Sequence, residues 1–151
     1  MCDVTEAALV SLVCTPTTYR RSDTSGVRWL DRDADYELAG SIWPSEMPLL
    51  RCGWEDAHAA GYRYCALLEE DRVVSIAAEW RYSDTAWETA AVRTLASCRR
   101  RGYGKRVVAF VTSHILASGR IATCHTASDN VAMIRAACSV GYVLQEEKGN
   151  L

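Results

Sequence analysis

The sequence predicts one α/β (α+β) domain over residues 1–151, a single mixed sheet flanked by helices. Two patterns carry this. Tyr64–Leu68 and Val73–Trp80 are strand-like runs joined by the polar turn Glu69-Glu70-Asp71-Arg72, which is the pattern of an antiparallel hairpin. After them, strand-like and helix-like runs alternate to the end of the chain. At 151 residues, with 49% apolar and 24% charged residues, the chain has the size and balance of one globular core.

The elements follow in order. Leu9 to Cys14 reads as a first strand, and Thr15 to Gly26, rich in Thr, Ser and Arg, reads as loop. Residues 27–41 read as a helix, because Trp29, Leu30, Tyr36, Leu38 and Ala39 recur at near-helical spacing among charged positions. Pro44 and Pro48 bracket a break. Leu49 to Ala60 forms a second helix, ended by Gly61. The hairpin comes next, then a strand from Trp87 to Leu95. Alternation puts Glu88, Ala90, Val92 and Thr94 on one face of that strand. Lys105 to Ala117 reads as a helix with Val107, Val108, Val111 and Ile115 along one stripe. Ile121 to Thr126 is a strand, Val131 to Val140 a helix capped by Asp129-Asn130, and Tyr142 to Gln145 a last short strand.

Bulk charge excludes several function classes. The net charge of −2 does not suit a polyanion binder, so no nucleic-acid partner is expected. No apolar run reaches the ~20 residues of a membrane span, so no membrane partner is expected. Asp3 and Glu6 before the apolar patch Ala7–Val13 do not read as a secretion signal. Seven cysteines, an odd number with no metal-ligand spacing, read as reduced thiols of a cytoplasmic protein without a metal.

The stretch Arg99-Arg100-Arg101-Gly102-Tyr103-Gly104-Lys105 carries the chemistry. Two glycines let the backbone approach a ligand closely, and the helix start directs unpaired N–H groups outward at the positive end of its dipole. Arg99, Arg100, Arg101, Lys105 and Arg106 add full charge, which makes a seat for a diphosphate. The spacing is neither Gly-x-Gly-x-x-Gly nor the Gly-x-x-x-x-Gly-Lys-Ser/Thr of a P-loop. Among carboxylates, Glu88 is the candidate base: it lies on the strand that leads into this loop, held against the sheet beside Trp87. Glu79 and Asp84 read as surface or turn residues, and His58, His114 and His125 as structural. Cys98, beside the arginines, is a weak candidate nucleophile with no identifiable His partner.

Arg99, Gly102 and Gly104 form Arg-x-x-Gly-x-Gly, which resembles the acetyl-CoA loop of the GNAT superfamily of N-acetyltransferases, most closely a bacterial branch. The resemblance covers residues 62–145. Glu88 to Leu95 looks like the central strand, Asn130 and Met133 like the start of the last helix, and Gly141-Tyr142 like the closing Gly-Phe/Tyr pair. It implies a splayed sheet, acetyl-CoA as co-substrate, and direct transfer to a primary amine, small molecule or peptide, with Glu88 as general base. It also implies that Val92, Arg93 and Thr94 line the pantetheine arm, with an N–H near Arg93 or Thr94 at the thioester. Arg99, Arg100, Arg101, Gly102, Tyr103, Gly104 and Lys105 would hold the diphosphate, and Asn130 and Met133 flank the cofactor. Asn130 also reads as a plain helix cap. The sequence departs from the family at Ala137, where many members carry a Tyr acid, and in having nine residues after Tyr142, few for the usual final hairpin. The acceptor pocket is then either unusual or completed by a second copy in a homodimer. The alternative function is a non-catalytic acyl-CoA-binding sensor or scaffold.

Overall fold

The computed structural model of the chain describes residues 8–145. Cys2, the acidic start before Ala8, and the tail beyond Gln145 lie outside the described residues. Among the described residues seven strands form one sheet: β1 (Leu9–Cys14), β2 (Val27–Trp29), β3 (Tyr62–Glu69), β4 (Arg72–Trp80), β5 (Ala86–Thr94), β6 (Ile121–Ala127) and β7 (Val143–Leu144). Their order across the sheet is β2-β3-β4-β5-β6-β1-β7. Every neighbouring pair is antiparallel except β5 and β6. Four described α-helices cover it: α1 (Tyr36–Gly40), α2 (Arg51–Ala59), α3 (Tyr103–Ala117) and α4 (Val131–Val140).

The hairpin β3–β4 closes through Glu70 and Asp71, both at positive φ (49° and 63°), the mirror-image turn that matches strand twist. β4 is buried from Val73 to Glu79 because helices cover both of its faces. On one face α3 lays down Val107, Val108, Val111 and Ile115 against Cys65, Ala77 and Trp87, and α4 adds Ala137 and Val140. On the other, α1 and α2 bury Ala39 and Trp54 against Tyr64, Ile76 and Ala78. The Trp54 indole N–H donates to the Arg32 carbonyl at 2.6 Å, so this large ring leaves no polar atom unpaired.

One expected element is different. Residues 27–41 are not a helix: Val27–Trp29 is the edge strand β2, and only Tyr36–Gly40 is helical. Trp29 and Val27 gain more as strand residues, paired with Cys65 and Leu67, with the Trp29 ring edge-on to Phe110 of α3 at 5.0 Å. Asp31 then captures the N–H groups of Asp33 and Ala34 at 2.9 and 2.7 Å, a side-chain turn that competes with helix. The later helices and strands begin and end within a few residues of the expected positions.

Gly141 shows why the chain closes as it does. It has φ +112°, and a Cβ there would stand 2.2 Å from the Thr18 carbonyl oxygen. The loop after β1 packs onto α4 at that point, with the Arg20 N–H donating to the Val140 carbonyl at 2.8 Å. Gly141→Ala is therefore expected to cost at least about 2 kcal/mol of folding free energy, read as a lower urea midpoint at unchanged slope. Wild-type stability in that variant would contradict the close approach.

Candidate active site

β5 and β6 run parallel but pair only through Ala86–Glu88 and Ile121–Thr123. Beyond Glu88 they part, and a cleft opens between β5 and the rest of β6. This is the splay. The loop and the start of α3 lie beyond the end of β5. Gly104 packs there, its Cβ position 3.4 Å from the Thr94 hydroxyl.

The loop itself leaves its backbone donors open. After a 3-10 turn at Ala96–Cys98, Arg99 is extended, Arg100 takes φ +67° and Gly102 φ +78°. Such left-handed steps turn successive N–H groups toward one concavity. Among the described residues, no N–H from Arg100 to Lys105 has a hydrogen-bond partner; the first helical bond runs from Arg106 N–H to the Gly102 carbonyl at 3.2 Å. A Cβ on Gly102 would meet nothing within 4 Å, so the space at that position is open. Arg99, Arg100, Arg101 and Lys105 make no ion pair among the described residues, whereas Arg106 is held by Asp23 at 3.5 Å. The Ser25 N–H bound to Asp23 keeps that carboxyl below the usual carboxylate range. Open donors, cations without a carboxylate partner among the described residues and a glycine with an unobstructed Cβ position fit a diphosphate.

The cleft differs from expectation in one decisive way. Simple alternation puts Glu88 and Val92 on one face, but Ala91, at φ +53°, begins a bulge in β5, where the register shifts between Ile76 and Ala78. A bulge resets the alternation. Val92 and Thr94 consequently turn to the α3 face. Val92 packs into that core, and the Thr94 hydroxyl meets Ser75 Oγ at 2.8 Å. Glu88 and Ala90 stay on the other face, beside Trp80 and Ala78. Arg93 shares that face, its guanidinium 5.1 Å from the Trp43 ring centre. Since Leu95 N–H donates to the Val74 carbonyl, alternation aims the Thr94 N–H into the cleft and the Arg93 N–H at β4.

Glu88 stands at the vertex, between Trp80 of β4 and Thr123 of β6. Its side chain is 12% exposed. Oε1 accepts from the Thr123 hydroxyl at 3.1 Å and lies 2.5 Å from His125 Nδ1, and the Tyr82 hydroxyl reaches Thr123 Oγ1 at 3.0 Å. Trp87 is not its wall: that ring lies on the α3 face, packed between Arg81 and Arg120 at 4.5 and 4.0 Å. His125 thus meets Glu88 across the β5–β6 junction. Sequence reasoning missed it because 37 residues separate it from Glu88. Parallel pairing of Glu88 with Thr123, followed by alternation along β6, is the signal that finds it.

Glu79 also departs from expectation. It is fully buried on the α3 face, where His114 Nδ1 and Arg81 Nε meet its two oxygens at 2.5 and 3.0 Å. With both oxygens engaged, it is a structural ion cluster. Asp84 is an exposed turn residue. Asn130 is the cap of α4: Oδ1 accepts from Met133 N–H at 3.3 Å and Nδ2 donates to Thr126 Oγ1 at 3.1 Å. Met133 is part-buried against the α3-side core, and Ala137 is fully buried. Tyr142 does not replace the missing acid. Its hydroxyl is locked between Thr89 and Thr112 at 2.7 and 2.9 Å, and burial holds it protonated far above the usual tyrosine range. Burial likewise pushes the Cys124 thiol up to about 12, so it stays protonated at neutral pH. Cys98 is buried, and no His ring meets a thiol among the described hydrogen bonds.

A mixed sheet splayed beside an N–H-lined loop is the architecture of the GNAT acyltransferases. The profile of the FR47-like protein family matches residues 67–149, more than half of the sequence, and the chain belongs to that family within the GNAT superfamily. Solved structures agree in fold. A GNAT-family protein from Novosphingobium aromaticivorans superimposes with a TM-score of 0.73 at 20% identity, covering 95% of this chain and 62% of that one. A GNAT-family acetyltransferase from Colwellia psychrerythraea gives 0.72 at 16%, covering 92% and 55%. A protein from Agrobacterium tumefaciens described as an acetyltransferase gives 0.63 at 21%, covering 83% and 96%. The chain thus spans between about half and two-thirds of the length of the first of these structures. No curated protein sequence matches it. No described helix is long and apolar enough to cross a membrane.

The bulge generates a direct test. Val at position 91 would force a β-branched side chain into φ +53°, so Ala91→Val is expected to cost about 1–3 kcal/mol. Ala91→Gly should stay within about 1 kcal/mol of wild type by the same urea titration. Equal stabilities for the two variants would contradict the bulge.

Proposed function

We propose that this chain transfers an acetyl group from acetyl-CoA to a primary amine, directly and without an acyl-enzyme, with Glu88 as the basic centre. One observation carries the reading: unpartnered N–H groups from Arg100 to Lys105 lie beyond the end of a strand whose far edge is unpaired past Glu88. The diphosphate of the coenzyme takes those N–H groups, with Arg99, Arg100, Arg101 and Lys105 supplying countercharge and Gly102, Tyr103 and Gly104 the close backbone. The pantetheine amides pair with the open edge of β5 as a short added strand past Val92, Arg93 and Thr94. Asn130 and Met133 line the opposite side at the start of α4. The thioester then lies near the vertex, where the basic centre at Glu88, with the His125 ring it holds, draws a proton from the acceptor ammonium.

A carboxylate held by Thr123 and His125 at that vertex favours an enzyme over a passive acyl-CoA sensor. The acceptor enters from the face carrying Trp80, Tyr82 and Trp43. A homodimer completing that face is compatible with this reading, as is a cytoplasmic location.

Two experiments test it. Calorimetry with acetyl-CoA is expected to show one binding site per chain, and Gly102→Val to weaken it at least about tenfold by filling the space before the N–H groups. No heat at millimolar coenzyme, or undiminished affinity in a folded Gly102→Val, would end the coenzyme assignment. Thiol release with a panel of amines is expected to fall by about 10²–10⁴ in Glu88→Gln at neutral pH, with coenzyme affinity intact. The deficit should shrink at high pH, where the acceptor is already deprotonated. An unchanged rate would remove Glu88 from the chemistry.

A further inference from the structure

The geometry points to His125 Nε2 as the atom that receives the acceptor's proton, with Glu88 behind it as the positioning carboxylate. This rests on the acetyltransfer reading and refines it. An ionised carboxylate only accepts hydrogen bonds. The contact of Glu88 Oε1 with His125 Nδ1 therefore requires the proton on Nδ1. A neutral ring in that tautomer carries its free lone pair on Nε2. Nε2 has no hydrogen-bond partner among the described residues, and the His125 side chain is 40% exposed while Glu88 is 12% exposed. The exposed member of the pair is the one an incoming substrate meets.

The surroundings agree. Glu88 Oε1 also accepts from Thr123, whose hydroxyl is in turn met by Tyr82, so the oxygen that meets His125 is held in place by a second β6 side chain. His125 lies two residues past Thr123, the last β6 residue paired with β5, and so on the wall of the cleft. On β5 the residues following Thr89 are Ala90 and Ala91, the smallest side chains that still carry a Cβ.

The step balances without another reactant. The ammonium gives one proton to Nε2, and the imidazolium is stabilised by the Glu88 charge. The nitrogen lone pair attacks the thioester carbonyl, the C–N bond forms and the C–S bond breaks. The second nitrogen proton goes to sulfur, CoA leaves as the thiol, and the imidazolium returns its proton to water.

The test has two readouts. Nitrogen-15 spectra of the His125 ring in the free protein are expected to show Nδ1 protonated and Nε2 bare; a protonated Nε2 with bare Nδ1 would overturn the proposal. In turnover, His125→Asn keeps a donor for Glu88 but removes the basic atom. It is expected to lower kcat at least about 100-fold with coenzyme affinity within about twofold. Added imidazole should restore a saturable part of the activity of His125→Ala. In the His125→Asn background Glu88→Gln should cost less than about threefold more, because the two act as one unit. Full activity in His125→Asn beside a dead Glu88→Gln would return the base role to the carboxylate and sink the proposal. Coenzyme binding without transfer to any amine by wild type would strike the acetyltransfer reading instead, while the ring spectrum still decides which nitrogen is basic.

Discussion

β5 and β6 hold each other for only three residue pairs, and the molecule is arranged around their parting. Main-chain N–H and C=O groups inside a protein are nearly always paired. Here a strand edge and a loop of consecutive N–H groups remain unpaired side by side. The rest of the fold explains how that is tolerated. α3 and α4 clamp one face, α1 and α2 the other, and the buried Tyr142–Thr89–Thr112 contact ties the C-terminal segment to both β5 and α3. The opening is framed by rigid elements.

Two carboxylates on adjacent strands make the contrast between structure and chemistry plain. Glu79 is wholly enclosed, each oxygen engaged by a cationic or imidazole partner, beneath Trp87 and the C-terminal half of α3. Such a cluster offsets the cost of a buried charge and has nothing left to offer a substrate. Glu88 is anchored on one oxygen, and its imidazole partner faces outward. The same residue types serve different ends because β4 and β5 present them to opposite faces: Glu79 shares the Thr89 face, and Glu88 the Trp80 face.

Much of this was legible from the sequence. The apolar stripe of α3, the turn at Glu70-Asp71 and the two glycines of the loop are local signals, each set by residues within a turn or two of one another. The misses are all non-local or irregular. Residues 27–29 have a helix-like spacing that loses to pairing with β3. The bulge at Ala91 has no marker, since Ala is an ordinary strand residue and nothing in the sequence announces φ +53°. It reversed the facing of Val92 and Thr94 relative to Glu88. His125 became visible only once β6 lay beside β5, because a strand partner 37 residues away leaves no periodic trace.

On the proposed function, the N–H groups from Arg100 to Lys105 seat a coenzyme diphosphate. Amide hydrogen exchange, residue by residue with and without CoA, tests it most directly. Rapid exchange is expected at Gly102, Tyr103 and Gly104 in the free protein and marked slowing of those amides at saturating CoA, with the buried amides of β4 unaltered. Slow exchange at the loop before any ligand is added, or no change on saturation, would contradict it.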